Sequence, residues 1–195
     1  MAELARSSSI TDRMIRAARL EIGLYEEVEA DITATNQALT VVVLVAIASA
    51  IGQALGATID GSGSAGLMGR LIGGLLSGLI GWAVWSYVVY FVGTRLFGGT
   101  ATYGELLRTL GFAESPNILL VLTFIPLLGG IIGFVVGIWA IVASFIGTRQ
   151  ALDIDNAKTF FTIVIGIIAL LCAVAIVSLV IGAIFGLGFA LGRGM

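Results

Sequence analysis

The sequence predicts an all-α, polytopic transmembrane helical bundle of about five spans, entered through an N-terminal amphipathic interfacial helix. Three observations predict it. Several charge-free apolar runs reach the roughly 20 residues that a helix needs to cross about 30 Å of hydrocarbon. The composition, 58% hydrophobic against 11% charged over 195 residues with a mean hydropathy of +1.10, is not that of a soluble domain. The charges of the first 37 residues fall on a helical pattern, unlike the short basic start and early apolar core of a signal peptide.

The composition also excludes several kinds of chemistry. A net charge of -2, spread over the ends of the apolar runs, gives no footprint for nucleic acid. There is no histidine, which removes the commonest general acid/base and metal ligand. The one cysteine, Cys172, lies inside an apolar run, so neither an internal disulfide nor a cysteine metal cluster can form. No cofactor is expected, and the apolar runs hold no ionisable residue away from their ends, which argues against an ion-coupled pump. Lone serines such as Ser77, Ser144 and Ser178 have no base beside them in sequence, so an enzyme is not expected either.

Residues 1–37 read as a cytoplasmic amphipathic segment. Ser7-Ser8-Ser9 with Asp12 marks a helix start. Ile10, Met14, Ala17, Leu20, Leu24, Val28 and Ile32 then make one apolar stripe. Opposite it, Arg13, Arg16 and Arg19 are placed to meet lipid phosphates, with Glu26, Glu27, Glu29 and Asp31 turned to water or a partner. The same pattern suits a helix packed on the protein's own cytoplasmic loops, and both readings stay open here.

Residues 38–192 form the bundle, with spans expected at about 38–55, 71–97, 117–128, 131–148 and 160–191. Glycines at four-residue spacing let helix backbones approach closely in lipid. They are Gly52 and Gly56 on the first span, Gly74 and Gly78 on the second, Gly129, Gly133 and Gly137 around the fourth, and Gly182 and Gly186 on the last. Ala57 to Gly69, with Asp60-Gly-Ser-Gly-Ser64, reads as a linker. Trp82, Trp85, Tyr87, Tyr90 and Phe91 read as packing or headgroup-level rings. Glu105 and Arg108, three apart on a short polar helix, read as a surface ion pair. Pro116 suits a first helical turn and Pro126 a break, with Gly129-Gly130 as the turn between two hairpin helices. Asp153, Asp155 and Asn156 read as caps for the last helix.

How residues 117–148 divide fixes the topology. With two spans there and the N-terminus in the cytoplasm, Arg6, Arg13, Arg16, Arg19, Arg95, Arg108, Arg149 and Lys158 lie inside, leaving Arg70 and Arg193 outside. That split, eight against two, follows the positive-inside rule and places the C-terminus outside the cell membrane; one long helix at 117–148 would give seven against three, so five spans are modestly favoured.

These residues also carry a resemblance. Glu26-Glu27-Val28-Glu29-Ala30-Asp31 leads into Thr35-Asn36-Gln37-Ala38; Tyr103-Gly104-Glu105-Leu106-Leu107-Arg108 is followed by Gly111-Phe112 and Pro116. Pro126 and Trp139-Ala140 then precede Gly147-Thr148-Arg149-Gln150-Ala151. In this order they resemble a prokaryotic member of the Yip family of five-span membrane proteins, from about Tyr25 onward. Eukaryotic relatives are implicated in vesicle traffic, in binding prenylated small GTPases and in membrane shaping. Their Asp-Leu-Tyr-Gly-Pro signature is missing, because Leu24-Tyr25 is followed by acids, so GTPase binding does not transfer. For bacterial members the resemblance implies a fold and a topology more than an activity. The residues themselves leave a non-enzymatic scaffold or membrane organiser in the bacterial inner membrane, with lipid, other membrane proteins or itself as partner. The competing expectation is an accessory subunit of a larger respiratory, photosynthetic or transport complex. A channel or carrier for neutral or lipid-like molecules would need a polar path that the spans do not advertise.

Overall fold

The structure, a computed structural model, describes residues 9–59 and 67–192, with the side-chain surroundings of the last helix given as far as Val180 and at Gly182. The linker expected at Ala57 to Gly69 is helical at both ends, with residues 57–59 closing one long helix and residues 67–69 opening the next, and its middle lies outside the described residues. Among them are seven α-helices, one 3-10 helix and no strand. The α-helices are α1 (Ile10–Ala18), α2 (Ile22–Ala30), α3 (Ala34–Ile59), α4 (Leu67–Phe97), α5 (Tyr103–Ala113), α6 (Gly129–Leu152) and α7 (Asn156–Gly192). The 3-10 helix, Ser115–Phe124, joins α5 to α6. Helices α3, α4, α6 and α7 are long and apolar enough to cross a membrane, and the chain is an integral membrane protein.

Helix α3 is the axis. In its most apolar stretch 39% of residues are buried, against 6% in α7. Its small residues make this possible. At Gly52 an added Cβ would lie 2.5 Å from the Leu120 carbonyl oxygen and 2.9 Å from that of Val121, so the 3-10 backbone rests directly on α3. At Gly111 on α5 the same construction meets the Ala38 Cβ at 2.8 Å, and near Gly56 it meets Phe124. These three contacts fix a register. Ala38, Gly52 and Gly56 follow one another along α3 as Gly111, Leu120 and Phe124 follow one another along the chain beside it. The 3-10 segment therefore runs parallel to α3, and α6 returns against the 3-10 segment.

The segment expected as an α-helix at 117–128 is thus a 3-10 helix at Ser115–Phe124. Its ten residues rise about 2.0 Å each, giving about 20 Å against about 15 Å as α-helix. The turn falls at Ile125–Leu128, before the glycine pair, with Leu127 in the left-handed region at φ 66° and Gly129 already the first residue of α6. Gly129 has no room for a Cβ, since the Thr123 carbonyl occupies that place.

The expected single N-terminal helix is two. Ser9 Oγ accepts the Asp12 N–H at 3.2 Å and starts α1, but Leu20 adopts φ 61° and folds α2 back. Leu20 holds this costly conformation while packing on a core of Ala17, Leu24, Tyr25, Val28, Ala38, Val41 and Phe112. The largest fully buried side chains, Tyr25, Phe112, Leu24, Leu106 and Leu152, all belong to this end of the bundle. A core of the water-soluble kind therefore sits at one end, and the spans beyond it face outward.

Gly52→Ala should lower the melting temperature of the detergent-solubilised chain, by the about 1–3 kcal/mol of an overpacked contact. Gly137→Ala, with nothing within 4 Å of its Cβ position, should leave it unchanged. Equal shifts in thermal unfolding would contradict this division of the glycines.

Candidate functional site

Two polar constellations stand out. The first binds the α1–α2 hairpin to the bundle. Arg13, only 7% exposed, donates through Nε to Glu27 Oε1 at 2.9 Å, through Nη1 to Gln37 Oε1 at 2.9 Å and through Nη2 to Asp31 Oδ2 at 2.8 Å. Arg16 pairs with Glu27 Oε2 at 2.6 Å and Glu21 Oε1 at 3.1 Å. The three arginines named from sequence thus differ in placement. Arg13 and Arg16 are turned onto the acids of α2, while Arg19 is exposed. Asp31 is held below the usual carboxylate range, chiefly by the Thr33 hydroxyl and then by Arg13.

Helix ends need partners for their last carbonyls, and the bundle supplies them. Tyr25 Oη donates to Ala17 O at 3.3 Å and Trp139 Nε1 to Ala18 O at 2.7 Å, closing α1. Arg108 Nε donates to Val28 O at 2.8 Å and Nη2 to Glu29 O, closing α2. The surface pair expected between Glu105 and Arg108 is therefore absent. Glu105 instead takes the Thr102 N–H at 2.8 Å in a capping box, and Arg108 is buried on the α2 terminus. Gln150 Nε2 adds a bond to Glu26 Oε1 at 2.9 Å. At the far end of α6, Asp155 Oδ1 accepts the Lys158 N–H at 2.9 Å and caps α7.

Glu29 is the strained group of this junction. Burial, then the nearby Asp153 and Glu105 charges, push its carboxyl up to about 7, with Glu26 adding to them and Arg108 opposing.

The second constellation is a cavity of about 400 Å³ between α3, α4 and the 3-10 segment. Ser49, Gln53, Ser77, Trp82, Glu114 and Asn117 contribute its polar and aromatic wall. Asn117 Nδ2 donates to Glu114 Oε2 at 2.5 Å, and Trp82 Nε1 is spent on Leu107 O at 3.1 Å. Sequence reasoning passed over this site. Ser49 and Gln53 lie one helical turn apart on α3, and Glu114 and Asn117 three apart, but nothing in sequence brought these pairs to Ser77.

The glycines separate into two sets. Gly52, Gly56, Gly78 and Gly129 meet neighbouring segments, Gly78 with an Ala46 Cβ 3.5 Å from its Cβ position. Gly74, Gly133, Gly137 and Gly182 face open space. Gly186 lies outside the residues whose surroundings are described. Among the described residues no cluster of three or more acids or cysteines is placed to hold a metal ion.

Arg13→Leu should loosen the hairpin, because Asp31 loses its arginine while Glu27 keeps Arg16, at a cost of about 1–3 kcal/mol. Limited proteolysis of residues 18–22 reads this directly, and unchanged cleavage would contradict it. For Glu29 the folded state keeps its proton longer than the unfolded chain does. Stability is therefore highest below the ordinary value of 4.5 and falls as pH rises towards about 7. Glu29→Gln should remove that fall, so melting curves of variant and parent diverge between about pH 5 and about pH 8. Parallel curves would show that Glu29 titrates normally.

A family model described as the Yip1 domain matches residues 31–179. No curated protein and no solved structure matches the chain.

Proposed function

The chain belongs to the Yip1 domain family, and from that premise we propose a non-enzymatic membrane organiser that gathers other spans around itself in a bacterial cell membrane. The observation that carries the reading is the set of open glycines. Gly133 and Gly137 lie one turn apart on α6 and meet no segment among the described residues, and the same holds for Gly182 on α7. In lipid, where apolar surface alone gives helices little reason to associate, such faces are where backbones approach. Outward-facing glycines on two spans favour docking over a self-contained bundle, whether the partner is another membrane protein or a second copy.

Five crossings fit this arrangement. The 3-10 segment runs beside α3 from the level of Ala38 to that of Gly56, and α6 returns, which supports reading it as a short crossing in its own right. Arg95, Arg108, Arg149 and Lys158 then share the end that holds the hairpin, which is the cytoplasmic end by the positive-inside rule. The hairpin reaches into the inner leaflet. Trp139, which holds the end of α1, lies ten positions along α6 from Gly129, or about 15 Å at 1.5 Å per residue. On that placement the lipid contact expected of three arginines rests on Arg19, with Ile15 and Ile22 exposed beside it.

Native purification in mild detergent tests the reading. The expected particle is larger than one chain, and Gly133→Leu with Gly137→Leu should return it to a single chain without lowering its melting temperature. A parent that is already a lone chain, with no companion at stoichiometric yield, would overturn the docking role.

A further inference from the structure

The cavity between α3, α4 and the 3-10 segment contains a carboxyl group without a counter-ion. Glu114 accepts one side-chain hydrogen bond, from Asn117 to Oε2, and Oε1 accepts none from the described residues. None of the ion pairs among the described residues reaches Glu114. Among the described residues neither lysine nor arginine lines the cavity. Moving a carboxylate out of water is costly unless an opposite charge accompanies it. Burial accordingly holds the Glu114 carboxyl above its ordinary range, against the pull of the Asn117 amide.

The rest of the wall offers oxygens and a ring. Ser77 Oγ donates its proton to Gly74 O at 3.1 Å, so its lone pairs remain to accept. Gln53 presents an amide oxygen and Ser49 a hydroxyl, and neither side chain makes a hydrogen bond within the described residues. Trp82, its N–H already spent, offers only its π face, which attracts cations. An anion such as phosphate would meet Glu114 with no basic group beside it. A primary ammonium, with three N–H donors and one positive charge, matches the Glu114 carboxylate, the free oxygens of Ser49, Gln53 and Ser77, and the Trp82 ring.

We propose that this cavity binds a primary ammonium group, with Glu114 as its counter-ion and the oxygens of Ser49, Gln53 and Ser77 as acceptors. The group can arrive as the ethanolamine head of a lipid or as a free aliphatic amine, since about 400 Å³ admits either. A lipid phosphate would stay at the mouth. The site is independent of docking through α6 and α7, whose open glycines lie on other helices.

The test uses the full-length chain, followed by melting temperature and tryptophan fluorescence. One arm titrates ethanolamine in detergent against sodium chloride of equal ionic strength. The other compares nanodiscs of phosphatidylethanolamine with nanodiscs of phosphatidylglycerol. A rise in melting temperature with ethanolamine identifies the free amine as sufficient. A rise confined to the phosphatidylethanolamine discs identifies the lipid head. In either case Glu114→Gln should weaken the response about tenfold or more, because a charge-assisted bond becomes a neutral one. Should Glu114→Gln fail to fold, Ser77→Leu fills the exposed wall, leaves the Glu114–Asn117 bond intact and should abolish the response. No response in either arm, or an equal response in the variant, overturns the proposal. Particle mass should be unaffected by Ser77→Leu, which separates this site from the docking faces.

Discussion

A ten-residue segment lies against α3 with no side chain between the two backbones, and the rest of the bundle depends on that contact. Gly52 is what allows it. In lipid, backbone carbonyls cannot turn to water, so a short and irregular crossing must be covered by protein and make its own hydrogen bonds. On the proposed five-span topology, the 3-10 segment packed on α3 meets both demands. It makes i to i+3 bonds throughout and covers more distance per residue than an α-helix. Once it lies on α3, the turn at Leu127 places Gly129 under the Thr123 carbonyl, and α6 has one direction in which to leave.

The hairpin is held by the same logic applied at the opposite end of the bundle from the Leu127 turn. Its two helices are nine residues each, too short to persist alone. Their terminal carbonyls are closed by Tyr25, Trp139 and Arg108, and Arg13 ties α1 to α2 and to Gln37 of α3. This polar end is therefore part of the fold, with Tyr25 and Phe112 fully buried beneath it. The Yip1 domain match begins at residue 31, inside this end, so the acidic run of α2 belongs to the upstream segment that the bundle grips.

Much of the fold was legible in the sequence because lipid imposes length and composition. Helices α3, α4, α6 and α7 follow from apolar runs, and the Ser9 and Asp155 caps from their side-chain chemistry. The break at Leu20 was not legible. No glycine, proline or asparagine stands there, and the left-handed turn is imposed by tertiary packing. Arg108 misled for a related reason, since its spacing to Glu105 suits an ion pair while the free carbonyls of α2, some eighty residues away, offer better partners. The cavity escaped because its polar residues come from three separate segments, each with one or two unremarkable side chains in an apolar setting.

The central claim is that the 3-10 segment crosses the membrane, and labelling from the two sides tests it most directly. In a Cys172→Ala background, Leu127→Cys places a thiol on a residue 96% exposed in the turn before α6, and Asp153→Cys places one on an exposed residue in the turn after it. A membrane-impermeant maleimide should label Leu127→Cys from outside intact cells and Asp153→Cys only after the cytoplasmic face is opened. Labelling of both from the same side would contradict it.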